Sequence, residues 1–344
     1  GKPRLTVSVI MEIDKHANLV GYEIVESIIE SKARLTYEEA EELIEKGAGW
    51  RAPKLRKQIA EALKRANELA HHLKERRIQR GAIELETPEI DIVIDRSGKA
   101  IDLRPVARLE SHSLIEELMI LANETVANHM AYLGRLFVYR VHEVPNEADM
   151  QDLSRFASAM GYRFRWTRGT SPRTLQALID KVRGNPEQYI VSMFLLRSLK
   201  KARYSERNVG HFGLASKCYT HFTSPIRRYP DLVVHRLLKI YGLSKSLPRD
   251  PKPLARFIRR AAEIASIREV EGDEAERASI KARVAEYMST RMGEEFWGII
   301  SGVQDFGFFV MLEDTLVEGL VHVSSLSDDY YSVNSTGTML VGSR

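Results

Sequence analysis

Cysteine is nearly absent from this chain of 344 residues, since Cys218 is the only one. A single cysteine excludes an intrachain disulfide and a zinc site built from clustered cysteines, and it favours a reducing compartment. The chain also lacks a run of about 18 apolar residues, which a membrane-spanning helix would need. Residues 1–5 do not show the charged-then-apolar pattern of a signal peptide. We therefore expect a cytoplasmic protein without a membrane partner.

Charge of one sign is not in large excess, because the net charge is only +4. An anionic partner would therefore have to meet locally clustered charge. One such cluster is residues 51–80, which carry ten Lys and Arg against three Glu. Apolar residues recur at helical spacing over residues 55–73, so this segment is predicted to be a basic amphipathic helix. Its basic face is either a phosphate-binding surface or an ordinary solvated helix face.

The N-terminal part of the chain shows strand and helix patterns in alternation. Residues 5–13 and 19–29 predict a β-hairpin, and residues 89–104 predict another that turns at Arg96-Ser97-Gly98. Thr36 and Glu39 have capping-box spacing and predict a short helix that ends at Gly47. Ser113 and Glu116 repeat that spacing before an apolar helix that runs toward Gly134.

The C-terminal part changes from helical to strand patterns near residue 293. Helices are predicted around residues 187–202, 231–241 and 253–291, and short β runs follow Gly293. The chain has 44% apolar and 28% charged residues, which suits about two globular domains. We therefore predict an α+β protein with a boundary between residues 292 and 293.

The most informative stretch lies between residues 211 and 235. It reads HFGL, then YTHFTSPIRRYPD from residue 219, then a further histidine at 235. Arg227 and Arg228 leave a loop just before a helix that is predicted to start near Pro230. An arginine at this place can hold a phosphate through two hydrogen bonds, and the helix N-terminus adds amide donors. The alternative is that both arginines only pair with Asp231 or with surface acids.

This stretch resembles the signature of the RNB family of exoribonucleases, to which RNase II and RNase R belong. Further segments that resemble the family are residues 31–37 (SKARLTY), 80–83 (RGAI) and 114–123 (LIEELMILAN). The resemblance is closer to the RNase R branch than to RNase II. The resemblance implies that residues 1–292 are an RNB catalytic domain without its N-terminal aspartate cluster. It also implies processive 3′-to-5′ hydrolysis of single-stranded and structured RNA to nucleoside 5′-monophosphates.

Residues 293–344 resemble the start of an OB-fold of the ribosomal S-one type, a small RNA-binding β-barrel. The β runs at 296–301, 306–310 and 319–326 match its first strands. The resemblance places Phe306, Phe309 and His322 on one exposed face, where RNA bases would stack. The alternative is that some of these aromatics fill the barrel core. The fold expectation is thus an incomplete RNB domain followed by a partial β-barrel.

The RNB resemblance also assigns residues of the first domain. Arg227 would bind the scissile phosphate, with Arg228 beside it on the RNA. Tyr37 would stack on the base near the RNA 3′ end, unless it is a buried tyrosine at a helix start. Tyr139 would be either a second stacking residue or a core residue. Glu276 would be either a glutamate near the active site or part of a solvated acidic helix face.

The metal ligands that phosphodiester hydrolysis needs are not found in the sequence. Two metal ions held by carboxylates supply the nucleophile and positive charge in such reactions, and the resemblance implies Mg²⁺ on a cluster of aspartates. Asp14, Asp91, Asp95 and Asp102 are dispersed through predicted turns and strands, and no metal ligand is predicted. His112, His211, His221 and His235 lack ligand spacing and are predicted to be structural. We expect the ligands, and cold-shock RNA-binding domains, in an N-terminal part of the same protein outside this sequence. The alternative function is a non-catalytic RNA-binding protein.

Overall fold

The computed structural model describes residues 1–49, 51–85, 90–167, 169, 171–243, 250–334 and 339–343. These residues form two compact units whose segments interleave along the chain. The first unit comprises Gly1–Ile83, Arg108–Glu143 and Lys201–Arg268, and the second comprises Glu84–Ala107, Val144–Lys200 and Glu269–Arg344. Both units contain helices and strands, so the α+β class predicted from the sequence is confirmed. The boundary between residues 292 and 293 remains a prediction.

Helices and strands follow one another in mixed order along the chain. The first are β1 (Pro3–Ile13), β2 (Leu19–Glu30), α1 (Tyr37–Lys46), α2 (Lys54–Arg80), β3 (Ile90–Ile94), β4 (Ala100–Pro105), α3 (Glu110–Tyr132), β5 (Tyr139–Val141) and α4 (Glu147–Ala159). There follow α5 (Pro172–Val182), α6 (Gln188–Ser198), β6 (Arg203–Ser205), α7 (Tyr229–Leu238) and α8 (Lys252–Ser289). The last are β7 (Gly298–Gln304), β8 (Gly307–Leu312), β9 (Glu318–His322), β10 (Tyr331–Val333) and β11 (Leu340–Gly342). A π-helical segment, Lys239–Leu243, continues α7, and a short 3-10 segment, Val323–Ser325, follows β9.

The first unit is built on the antiparallel hairpin of β1 and β2 and on the helices α1, α2, α3 and α7. Its core joins residues of α3, β5, α7 and the first turns of α8, including Val126, Phe137, Leu237 and Ile258, each fully buried or nearly so. Side chains of β1 and β2 pack against this core from the hairpin. Burial of this apolar surface is the main force that holds these elements of the first unit together.

The second unit holds three of the sheets that the structure describes. β3 pairs with β4, β10 pairs with β11, and β7, β8 and β9 form a three-stranded antiparallel sheet. The helices α4, α5 and α6 bury Met150, Leu153, Leu175 and Leu195. The described part of the barrel region is therefore a sheet of three strands and a separate hairpin.

Several predicted elements are confirmed. Both hairpins form, although residue 89 of the second lies outside the described residues. Thr36 caps α1 through the expected capping box, and Gly47 ends the helix with a φ of 70°. The helix predicted at 187–202 ends earlier, at Ser198, and is followed by the strand β6. The helices α4 and α5 were not predicted.

The start predicted for α3 is wrong. The helix begins at Glu110, so Ser113 lies inside it rather than at its N-cap. The first amides of α3 are bound by another helix: the carboxylate of Glu41 in α1 accepts from the backbone N–H groups of Glu110 at 3.2 Å and Ser111 at 2.8 Å. A cap supplied from a distant residue satisfies the free amides and leaves no local sequence signal.

The described helices include none whose length and apolar content would suffice to cross a lipid bilayer.

Candidate nucleic-acid interface

The two adjacent arginines lie on a tight turn before α7. The backbone N–H groups of Arg227 and Arg228 donate to the carbonyl oxygen of Ser224 at 3.3 and 3.0 Å. Pro225 occupies the second position of this turn, where its fixed φ is favourable. The helix then begins at Tyr229 with Pro230 in its first turn. The start predicted near Pro230 is confirmed.

Arg228 is held by a buried carboxylate. Its Nε donates to Asp231 Oδ2 at 2.9 Å, and its Nη2 donates to Oδ1 at 2.8 Å. The Asp231 side chain is 0% exposed, whereas that of Arg228 is 21% exposed. Arg228 therefore forms the ion pair with Asp231 that the sequence analysis gave as the alternative role. Its contact with RNA stays a prediction.

Arg227 has a different environment, although it is the next residue. Its side chain is exposed and makes no hydrogen bond or ion pair with any residue that the structure describes. Ile226, which precedes it, is 99% exposed. A guanidinium that is free of protein partners keeps its donors for a ligand, and its planar fork matches a phosphate or a carboxylate group.

The side chains of Asn123, Thr220 and His235 anchor the chain that leads to this turn. Asn123 of α3 accepts from the N–H of Phe222 at 2.9 Å and donates to the Tyr219 hydroxyl at 3.0 Å. The hydroxyl of Thr220 donates to the carbonyl of Val138, just before β5, at 2.7 Å. His235 of α7 lies stacked on Phe222, with ring centroids 4.5 Å apart. The backbone on the N-terminal side of the arginines is thus fixed to two helices and to the start of a strand.

A group of histidine and tyrosine rings lies beneath the same segment. His221 accepts or donates at 2.9 Å with the Tyr204 hydroxyl, and His211 lies 5.3 Å from Tyr219, centroid to centroid. Burial, helped by nearby arginines, lowers the pKa of His221 to about 2. Burial, helped by His142 and Arg140, lowers the pKa of His211 to about 3. Both rings are therefore neutral at physiological pH, as structural histidines would be.

Tyr37 is the first residue of α1 and is 44% exposed. Its ring stacks on that of His112, with centroids 4.0 Å apart and planes 29° apart. Its carbonyl accepts from the Ser111 hydroxyl at 2.9 Å. The ring is thus supported on one side by the start of α3 and is not the buried tyrosine that the alternative described.

Helix α3 connects Tyr37 to the arginine turn. His112, which supports Tyr37, and Asn123, which holds Phe222, are eleven residues apart on this helix. At 1.5 Å per residue this is roughly 16 Å along the helix axis. One rigid element therefore sets the spacing between the exposed tyrosine and the exposed arginine.

Tyr139 lies in the core, which was the second of its two predicted roles. Its side chain is 6% exposed in β5, and its ring packs edge-on against Phe137 at 5.4 Å. Burial, with a smaller contribution from Cys218, raises the pKa of the Tyr139 hydroxyl to about 12. A ring in this position offers no face to a base, so its predicted stacking on RNA has no support from the geometry.

In the second unit, Phe306, Phe309 and His322 lie together. Phe306 is 46% exposed at the turn before β8, and its ring meets that of Phe309 edge-on at 6.3 Å. His322 in β9 pairs with Gly307, two residues before Phe309 in β8, so alternation of side chains puts both on one face of the sheet. Leu320, 48% exposed, pairs with Phe309 and belongs to the same face.

Glu276 lies in the exposed central part of α8, where residues 271–280 are all exposed. This is the environment of a solvated helix face, one of its two predicted settings. The position of Glu276 gives no support to a catalytic role, which remains a prediction.

The described residues contain no group of three or more His, Cys, Asp and Glu side chains that could hold a metal ion. The dispersed aspartates have other partners. Asp14 and Asp95 accept several hydrogen bonds within their own turns, and Asp102 pairs with Arg104 at 2.7 Å. Bonds from Asn18 and Ser97 lower the pKa of Asp14 and Asp95, respectively. These residues do not fit a magnesium pair.

The basic helix α2 carries exposed cations. Lys54, Arg56, Lys64 and Arg65 are exposed and form no ion pair with the residues that the structure describes. Arg77, in contrast, is buried and makes a bidentate pair with Glu117, with the shortest bond at 2.6 Å. The outward side of this helix is thus available to an anionic partner, and the phosphate-binding role stays a prediction.

Comparison with known proteins assigns the chain to a family. The RNB domain matches residues 1–242, and the S1 RNA binding domain matches residues 290–344. The chain belongs to the RNB family. It is 42% identical over 348 residues to ribonuclease R of Thermotoga maritima, covering 100% of this chain and 48% of that protein. The chain therefore spans about half the length of the curated relatives it matches.

Solved RNB structures share this fold. Mycoplasma genitalium RNase R in complex with ribose-methylated single-stranded RNA has a TM-score of 0.93 at 26% identity, covering 100% of this chain and 53% of that one. The same enzyme in complex with double-stranded RNA has a TM-score of 0.87 at 25% identity, covering 99% of this chain and 60% of that one. The RNB and OB-type fold predicted from the sequence, with its likeness to RNase R, is confirmed.

Three residues of the interface were not predicted to act there. Asp231 appeared only as a possible partner of the arginines, His112 only as a structural histidine, and Asn123 only as part of a family-like stretch. A signal was present for Asp231, because an acid three residues after Arg228 and next to a helix start commonly pairs with it. Nothing local marks Asn123, whose partners lie 96 and 99 residues away.

Proposed function

We propose that this chain supplies the RNA-holding surfaces of a 3′-to-5′ hydrolytic exoribonuclease that releases nucleoside 5′-monophosphates processively. The observation that carries the proposal is the exposed guanidinium of Arg227 on an anchored turn, unpaired among the described residues. The neighbouring Arg228 spends its donors on the buried carboxylate of Asp231, whereas those of Arg227 remain available to a ligand. Because the chain belongs to the RNB family, the ligand proposed for Arg227 is an RNA phosphate.

In this proposal Arg227 binds the scissile phosphate and stabilises the charge that develops on its oxygens. A fixed guanidinium does this well, because its donors need not reorganise during the reaction. Tyr37 stacks on the base near the 3′ end with the ring face that His112 does not cover. The α3 helix holds the two groups at a constant spacing, so the last nucleotides are presented in one geometry.

The face made by Phe306, Phe309 and His322 binds single-stranded RNA at some distance along the strand from the cleaved end. Stacking of bases on such a face is tolerant of sequence and contributes about 1 to 3 kcal/mol per base. The S1 RNA binding domain match and the single-stranded RNA held by the Mycoplasma enzyme support RNA as the partner. Degradation of structured RNA is proposed because the structure of the same Mycoplasma enzyme in complex with double-stranded RNA has this fold.

Hydrolysis itself is proposed to use Mg²⁺ that is held outside these 344 residues, in a preceding part of the same protein. The dispersed aspartates do not fit such a site, and this chain spans about half the length of its relatives. Glu276 is proposed to lie near the active site. The protein is proposed to act in the cytoplasm.

The test is degradation of a single-stranded RNA labelled at its 5′ end, with Mg²⁺ present. It compares the 344-residue chain with the extended protein, meaning the longer natural polypeptide that contains this chain. We expect the chain alone to bind the RNA without cleaving it, and the extended protein to shorten it from the 3′ end. Binding without cleavage in both samples would instead favour a non-catalytic RNA-binding protein. Failure of both to bind RNA would contradict the proposal.

A further inference from the structure

Asp231 carries no part of the function proposed above, yet its side chain is 0% exposed beside the arginine turn. We propose that Asp231 is a positioning residue that holds Arg227 in place for the scissile phosphate without touching the RNA. The inference rests on the proposed function, because it needs Arg227 to act on RNA.

The carboxylate of Asp231 closes the turn at both ends. Its Oδ1 accepts from the backbone N–H of Ser224 at 2.8 Å, which fixes the first residue of the turn. Both oxygens accept from the guanidinium of Arg228, which fixes the residue that follows the turn. Arg227 lies between these two points, and its side chain has no polar partner among the described residues that would fix it. Its position therefore depends on the backbone that Asp231 holds.

The placement of Asp231 explains why two neighbouring arginines differ. Arg228 is the N-cap residue of α7, and it precedes Asp231 by three residues, a spacing that brings the two side chains together. Arg227 is one residue further away and turns to solvent. Asp231 thus divides the pair into a structural arginine and an RNA-binding one. An acid in the first turn of a helix is also stabilised by the helix dipole.

Loosening the turn should slow cleavage more than it weakens RNA binding. A misplacement of about 1 Å in a catalytic group can slow a reaction by about a hundredfold. Asp231→Asn keeps the shape of the side chain and removes the negative charge that pairs with the Arg228 guanidinium. We expect this variant to lower the single-turnover cleavage rate of the extended protein by about tenfold or more, with KM changed by less than about threefold.

A double-mutant cycle tests whether Asp231 acts through Arg227. The rates of the extended protein are compared for the wild type, Asp231→Asn, Arg227→Ala and the double variant. If Asp231 only positions Arg227, the double variant is about as slow as Arg227→Ala alone. If Asp231→Asn slows the Arg227→Ala protein by the same factor as the wild type, Asp231 has only a general structural role and the proposal fails. Glu286→Gln is the matched control, because Arg283 and Glu286 form an exposed pair with the same spacing, and it should leave the rate unchanged.

Two further experiments apply if a variant does not fold or if the extended protein does not cleave RNA. If Asp231→Asn does not fold, Arg228→Lys replaces it in the cycle. A lysine keeps the positive charge but cannot make the bidentate hydrogen bonds to the Asp231 carboxylate. If the extended wild-type protein does not cleave RNA, the proposed activity fails, and the same cycle is measured as affinity of the 344-residue chain for single-stranded RNA. Non-additive losses of affinity would still support the positioning role. Additive losses, or no loss with Arg227→Ala, would overturn it.

Discussion

The arginine turn and the aromatic face of the S1 region are both exposed to solvent, but they are held in very different ways. The turn is anchored by buried groups, among them Asn123 at 2% exposure and Asp231 at 0%. Of the aromatic face, Phe306 is 46% exposed, and His322 bonds through its ring to Ser324 two residues away, at 2.8 Å. Under the proposed function, the difference teaches that the group proposed to bind one phosphate is fixed in position. The side chains proposed to stack on bases along the strand are held less firmly.

Removal of the Arg227 guanidinium should produce the largest effect. Arg227→Ala is expected to slow cleavage by the extended protein about 10²- to 10³-fold, the usual loss when one donor to a developing oxyanion is removed. RNA affinity should fall much less. Single-turnover rates at saturating RNA measure this. Arg260→Ala is the control, because Arg260 is also exposed and without an ion pair among the described residues. A fully active Arg227→Ala protein would contradict the assignment.

Loss of an anchor should destabilise the first unit. Asn123→Ala leaves the buried N–H of Phe222 without its partner and creates a cavity, at a cost of about 2 to 4 kcal/mol in unfolding free energy. Asn128 on the same helix is exposed, and its side chain donates to a carbonyl of its own helix. Asn128→Ala should therefore change stability by less than about 0.5 kcal/mol. Denaturant unfolding of the chain gives both values, and equal values would show that the turn is not anchored through Asn123.

Acid should act on the anchored region through His211 and His221, which are partly buried. The pKa of His221 is about 2 and that of His211 about 3 in the folded protein, below the ordinary value of 6.5. Protons therefore bind the unfolded chain more tightly, and stability falls as pH drops below about 6.5, by about 1.4 kcal/mol per pH unit for each histidine.

The test compares unfolding free energies between pH 7 and pH 5 for the wild type and His221→Gln. The variant should lose stability less steeply, by about 1 kcal/mol per pH unit on average over this window. His72→Gln, at an exposed position, should keep the wild-type slope. A wild-type slope in His221→Gln would show that this ring is not held neutral by the fold.

The aromatic face should show the smallest effect and only in binding. Phe309→Ala or Phe306→Ala is expected to weaken single-stranded RNA affinity by about tenfold, the value of one lost stacking contact. The rate at saturating RNA should stay unchanged. Tyr330→Ala is a suitable control, because Tyr330 is 83% exposed outside this face. A fall in the saturated rate would mean that the face takes part in chemistry and would break the contrast between the two regions.

The sequence predicted the interface only in part, for physical reasons. The capping box placed Tyr37 at the start of α1 but left its exposure open. The shared face of Phe309 and His322 was expected only from the resemblance, because it depends on the register between β8 and β9. The different environments of Arg227 and Arg228 were left open, although the three-residue spacing to Asp231 favours Arg228, because the sequence does not show that this carboxylate is buried. The start of α3 was misplaced because its cap is Glu41 of another helix. The role of Tyr139 was left open because the family resemblance around it is loose, and the three-residue strand that buries it was not predicted.

The measurement that tests the account most directly is photo-crosslinking of RNA that carries one thiouridine at a chosen position. With the label at the 3′-terminal nucleotide, crosslinks are expected in the first unit, around Tyr37 and the arginine turn. With the label several nucleotides upstream, they are expected at the S1 face around Phe306 and His322. Crosslinks that do not depend on label position, or that occur in the reverse order, would contradict the claim that one region holds the reacting end and the other holds the strand.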